Sequence, residues 1–98
     1  MTARLVESFK QHVSHNGKEF VVDIKIWWVK DKRYQENIKY SLVFIEPSSG
    51  KKVLMDNHHP KTPHIHLDDE EFNYEYKSTD HLVEDFRKFV RQHFGVAL

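Results

Sequence analysis

The 98-residue chain contains no cysteine. That excludes a disulfide framework, a thiolate metal site and a cysteine nucleophile together, and it suits a reducing compartment, so the expected location is cytoplasmic. Glycine and proline number three each, and no Gly-rich phosphate loop or low-complexity linker can be traced. No wholly apolar run is longer than Ile26–Val29, and no basic segment leads into an apolar stretch near the start, so neither a membrane span nor a signal peptide is expected. Net charge is also missing, with 15 basic residues against 15 acidic ones. The balance hides an asymmetry: residues 1–67 hold 11 Lys/Arg against 7 Asp/Glu, and residues 68–98 hold 4 against 8. A basic first part permits a sheet that faces nucleic acid, and it equally permits two segments that neutralise each other in the fold.

What is present is the composition of a folded protein of one domain, residues 1–98, with 31% charged and 13% aromatic residues. Asn16-Gly17 supplies two residues that tolerate positive φ between alternating segments, which predicts a hairpin over 3–29 with a type I′ turn. Pairing across that turn sets Val13 opposite Phe20, Phe9 opposite Ile24 and Leu5 opposite Trp28, and this apolar face is the expected core. The other face pairs Lys10 with Asp23 and leaves Val21, Trp27 and Val29 as an apolar strip for a partner, a second copy of the chain included. A charged loop over 30–37 precedes strands at 38–46 and 51–56, joined by a turn with Gly50 in a left-handed position. Residues 57–71 read as a His-rich loop, followed by an edge strand at 72–76. Ser78 or Thr79 caps a helix over 79–94, in which Leu82, Val83, Phe86, Phe89, Val90 and Phe94 recur at helical spacing and Gly95 terminates it. The expected fold is therefore α+β: an antiparallel four- to five-stranded meander sheet with one C-terminal amphipathic helix packed on one face.

Eight histidines stand in the chain, and four of them fall in Asp56-Asn-His58-His59-Pro-Lys61-Thr-Pro-His64-Ile-His66. If Ile65 is extended, His64 and His66 project from the same side, because side chains alternate with period two. Three chemistries fit. In the first, no metal or cofactor takes part: one imidazole removes the ribose 2′-OH proton, another protonates the leaving oxygen, and Lys51, Lys52 or Lys61 stabilises the phosphorane. In the second, His58, His59, His64 and His66 with a carboxylate hold a divalent metal such as zinc. In the third, the histidines are turn and surface residues. Asp23-x-Lys25, Ser48-Ser49 and the alternating tyrosines are accounted for by cross-strand pairing, turn chemistry and sheet cover.

Tyr40-Ser-Leu-Val43, Val53-Leu-Met-Asp56-Asn-His58-His59, His64-x-His66 and Leu82-Val-Glu-Asp-Phe86 together resemble the TumE-type toxin family of bacterial type II toxin–antitoxin systems. The Asp-Asn-His-His element followed by His-x-His is the most specific part. Pro60-Lys-Thr-Pro63 stands where the family is associated with a glycine-containing linker. The resemblance implies a small endoribonuclease toxin acting on RNA, encoded beside a helix-turn-helix antitoxin, with Asp56, Asn57, His58, His59, His64 and His66 as the matched positions. Within that implication His64 and His66 are the expected acid/base pair. His58 or His59 orients or binds phosphate, and Asp56 fixes an imidazole tautomer. Lys51, Lys52, Lys61 and Asn57 contact the nucleic acid, and no cofactor is required.

Overall fold

The turn at Asn16-Gly17 sets the architecture. Both residues have positive φ, 52° and 77°, and they join β1 (Ala3–His15) to β2 (Lys18–Val29) in the sense that matches the right-handed strand twist. The computed structural model describes residues 3–60 and 62–98. Val13 opposes Phe20, Lys10 opposes Asp23 and Phe9 opposes Ile24, as the alternation predicts. Beyond Phe9 the expected register fails: Leu5 opposes Trp27, not Trp28, because a bulge between Leu5 and Glu7 inserts Val6 as an unpaired residue. Leu5 and Val6 are both apolar, so alternation alone carries no mark of the extra residue.

The sheet continues as a meander through β3 (Ile38–Ile45), β4 (Lys52–Asp56), β5 (His64–Leu67) and β6 (Glu70–Asn73), in the order β1-β2-β3-β4-β5-β6. Six strands replace the four to five expected. The second half of the 57–71 segment is strand, not loop, and the edge strand runs Glu70–Asn73 in place of 72–76. Two four-residue strands meet at a tight turn that Asp68 permits by taking a φ of 58°. Histidines and carboxylates at their outward positions leave too few apolar residues for a period to emerge.

Helix α1 (Thr79–Phe94) closes one face. The Ser78 hydroxyl accepts the backbone N–H of His81 at 3.1 Å, and Gly95 at φ 72° ends the helix with its N–H on the Arg91 carbonyl. Leu82, Phe86 and Val90 are buried against Val22 and Ile26 of β2, Leu42 and Phe44 of β3, Val53 and Met55 of β4 and Ile65 of β5. Phe20 stacks on Phe44, and Phe94 meets both edge-on at 5.5 and 5.0 Å.

This cover does not extend to β1. Leu5, Val6 and Phe9 are among the most exposed large apolar residues, and Phe9, expected in the core, is 46% exposed. The hairpin's outer strand lies beyond this cover, in a molecule that measures 43 × 24 × 21 Å. Val29, expected in an exposed strip, is fully buried, and the Asn37 side chain donates to its carbonyl at 3.0 Å as the 30–37 loop folds in. Trp27 and Val21 remain half-buried, with the Lys39 ammonium 5.4 Å above a Trp27 ring. Replacing Phe9 with Ala is expected to cost less than about 1 kcal/mol in urea denaturation, against the roughly 3–5 kcal/mol of a core phenylalanine. A loss in the core range would place β1 beneath the helix.

Candidate active site on the open sheet face

The face away from α1 carries Asp56 of β4, His64 and His66 of β5 and Glu71 of β6. Cross-strand register places Ser41, Asp56, His64 and Asn73 in one row and Val43, Leu54, His66 and Glu71 in the next. Directly opposed side chains on one face are close enough to interact, and four titratable groups meet here. His64 Nε2 lies 3.0 Å from Asp56 Oδ1 and 3.6 Å from Glu71 Oε1, and His66 Nε2 lies 3.3 Å from the same Glu71 oxygen. The two imidazoles meet edge to face with centroids 4.8 Å apart. His64 Nδ1 is 2.9 Å from the Thr62 carbonyl. A carbonyl only accepts, so Nδ1 carries the hydrogen and Nε2 is the atom turned to the carboxylates. His64 is buried, His66 half-buried and Glu71 exposed, giving the cluster a closed side and an open one.

Burial, followed by the nearby carboxylate of Asp56, pushes the Tyr40 phenol well above its ordinary pKa, so it stays neutral. At the far end of β4, the His93 ring 3.1 Å from Asp68, helped by the Lys52 N–H, holds the Asp68 carboxyl below its usual range. That pair fastens α1 to the β5–β6 turn.

The other residues expected at the site are distributed elsewhere. Asn57 is buried and serves the backbone: the N–H of Tyr40 donates to its Oδ1 at 2.9 Å and its Nδ2 donates to the Ile38 carbonyl at 2.8 Å. Its side chain thus prolongs the β3–β4 ladder one step past Asp56. His58 and His59 are exposed in the β4–β5 loop, where the His59 N–H donates to the Tyr34 hydroxyl at 3.0 Å. Lys51 turns to the helix side, its ammonium 5.3 Å above the Phe94 ring. Lys52 shares the face of Asp56 and His66 by alternation, while Lys61 lies outside the described residues. Among the described residues, one ligand atom each from His64, His66 and Glu71 falls within 4.8 Å of the others. His58 and His59, expected to complete a four-histidine set, do not belong to that group. Glu71 is the member that sequence reasoning missed. Its signal was the two-residue Asp68-Asp69 turn, which counts back from Glu71 to His66.

A cavity of about 430 Å³ lies at the β4–β5 loop. Tyr34, Gln35, Asn57, His59, Thr62 and Tyr76 form much of its wall, with Arg33 and two prolines at its margin. The Arg33 guanidinium, hydrogen-bonded through Nε and Nη2, holds the Asp31 carboxyl down to about 2.

Residues 2–94 match the family model described as toxin TumE. Comparison with curated proteins and with solved structures gives no match.

Proposed function

The chain belongs to the TumE toxin family, and from that membership we propose that it is an endoribonuclease whose reacting centre is the His64–His66 cluster. Family membership makes it the toxin component of a toxin–antitoxin system and implies an antitoxin partner. Our reading adds that this antitoxin is of the helix-turn-helix type and that the toxin acts on RNA in the cytoplasm. The observation that carries the catalytic reading is the meeting of two imidazoles, 4.8 Å apart, with two carboxylates on a sheet face that no helix covers. Imidazole both accepts and donates a proton near neutrality. One ring takes the proton of a ribose 2′-OH, the 2′-oxygen attacks the adjacent phosphorus, and the 5′-oxygen leaves with a proton from the other ring. The products are a 2′,3′-cyclic phosphate and a 5′-hydroxyl. Asp56 positions His64, and Lys52 on the same face supplies positive charge to the phosphate.

A second reading has its own observation. His64 Nδ1–H is fixed by a backbone carbonyl, as metal-bound imidazoles are, and His64, His66 and Glu71 offer ligand atoms in close array. Such a set suits a divalent ion of the zinc class.

One assay separates the two: cleavage of mixed-sequence RNA by the purified protein at pH 7, with and without EDTA, using the His64→Ala/His66→Ala double variant as the contamination control. Cleavage that survives EDTA and vanishes in the variant is the expected result. Loss on chelation with rescue by one divalent ion moves the cluster into the metal reading, and no cleavage under any condition overturns the endoribonuclease assignment.

A further inference from the structure

The motif Asp56-Asn57-His58-His59…His64-x-His66 is divided by the fold. Asp56, His64 and His66 enter the reacting cluster, whereas Asn57 and His59 turn to the 430 Å³ cavity at the β4–β5 loop. We propose that this cavity binds one unstacked nucleobase of single-stranded RNA, that of the nucleotide adjoining the cleaved phosphate, and so sets base preference. The inference rests on the endoribonuclease reading for its substrate and on the geometry of the cavity for its place.

Three features carry it. The first is contiguity: Thr62 lines the cavity while its carbonyl holds His64 Nδ1, and Asn57 follows the carboxylate that touches His64 Nε2. Thr62 is thereby shared between the wall of the cavity and the seat of His64. The second is chemistry. The exposed His59 and Pro60 line it together with the largely buried rings of Tyr34 and Tyr76, and aromatic surface is how proteins hold bases splayed from a single strand. Gln35 offers a donor and an acceptor together, and the Tyr34 hydroxyl, which accepts from the His59 N–H, keeps its own O–H to donate. The third is charge. Among the described residues no carboxylate lines this cavity, and Arg33, paired with Asp31, stands at its margin. The volume also lies within the roughly 300–1,000 Å³ that small-ligand sites occupy.

The test titrates each of the four nucleoside 3′-monophosphates into ¹⁵N-labelled protein. One base is expected to bind about ten-fold more tightly than the weakest, the scale of one good stacking or hydrogen-bonding contact, and to shift the amides of Tyr34, Gln35 and Thr62. In the Gln35→Ala/His59→Ala variant the four are expected to bind alike. Both side chains are at the surface, and a dispersed amide spectrum verifies the fold. Equal binding of all four to the native protein overturns the proposal, as do shifts confined to the open sheet face with Tyr34, Gln35 and Thr62 unmoved. RNA cleavage without any base preference overturns it while leaving the endoribonuclease reading intact. Base-selective binding at these amides without cleavage supports the cavity and removes the endoribonuclease reading.

Discussion

His66→Ala is expected to lower RNA cleavage by about two to four orders of magnitude, the range that a positioned proton-transfer group contributes, while moving the melting temperature by only a few degrees, about what a half-buried surface change produces. The contrast is built into the cluster. His66 is half-buried with its Nε2 on Glu71, an exposed carboxylate at the sheet edge. His64 is buried, with one ring nitrogen on the Thr62 carbonyl and the other facing Asp56, so its removal disturbs the β4–β5 loop as well as the chemistry. His66 is therefore the cleaner probe. Initial rates on a mixed-sequence RNA and a thermal melt of the same preparation read the two quantities together. A His66→Ala protein that cleaves at the native rate would remove the acid/base assignment.

Asn57→Ala is expected to destabilise the protein by about 2–4 kcal/mol, because the Tyr40 N–H and the Ile38 carbonyl lose their partners in a buried setting. For a domain of this size that lowers the melting temperature by on the order of 10–20 °C. Loss of toxicity in this variant then reports unfolding and not a missing contact to RNA. Urea denaturation and RNA cleavage below the variant's melting temperature separate the two. An unchanged melting curve with cleavage reduced would return Asn57 to the substrate contact that its place in the motif suggests.

Asn57 also illustrates what the chain reveals before it folds. An asparagine after a strand and before two histidines reads, from its place in the motif, as a contact to nucleic acid. Only the arrival of β3 alongside, seventeen positions away from Tyr40 to Asn57, reveals its place in the β3–β4 ladder. Local chemistry was legible: Asn16-Gly17 fixed the hairpin, Ser78 and Gly95 bounded the helix, and period two put His64 and His66 on one face. Features that depend on counting across a turn were not. The β5–β6 hairpin is built from four-residue strands whose outward positions are histidine and glutamate, so Glu71 became visible as a partner of His66 only through the register. The bulge at Val6 and the exposure of Phe9 escaped for a related reason. Alternation says which residues share a face, but not how far a sixteen-residue helix reaches across it.

The outer position of β1 gives the molecule two tiers of cooperativity. The strand is held by its ladder to β2 and lies beyond the cover of α1, so peeling it away exposes little of the apolar surface packed under the helix. Segments of that kind open with less free energy than global unfolding requires. The β1 amides are thus expected to exchange with solvent through local opening, and those of β3 and β4, at the centre of the sheet, only when the whole domain unfolds. The His64–His66 cluster is built on β4, β5 and β6, at the opposite side of the sheet from β1. Local opening of the terminal strand is expected to leave the His64–His66 cluster, at the other side of the sheet, in place.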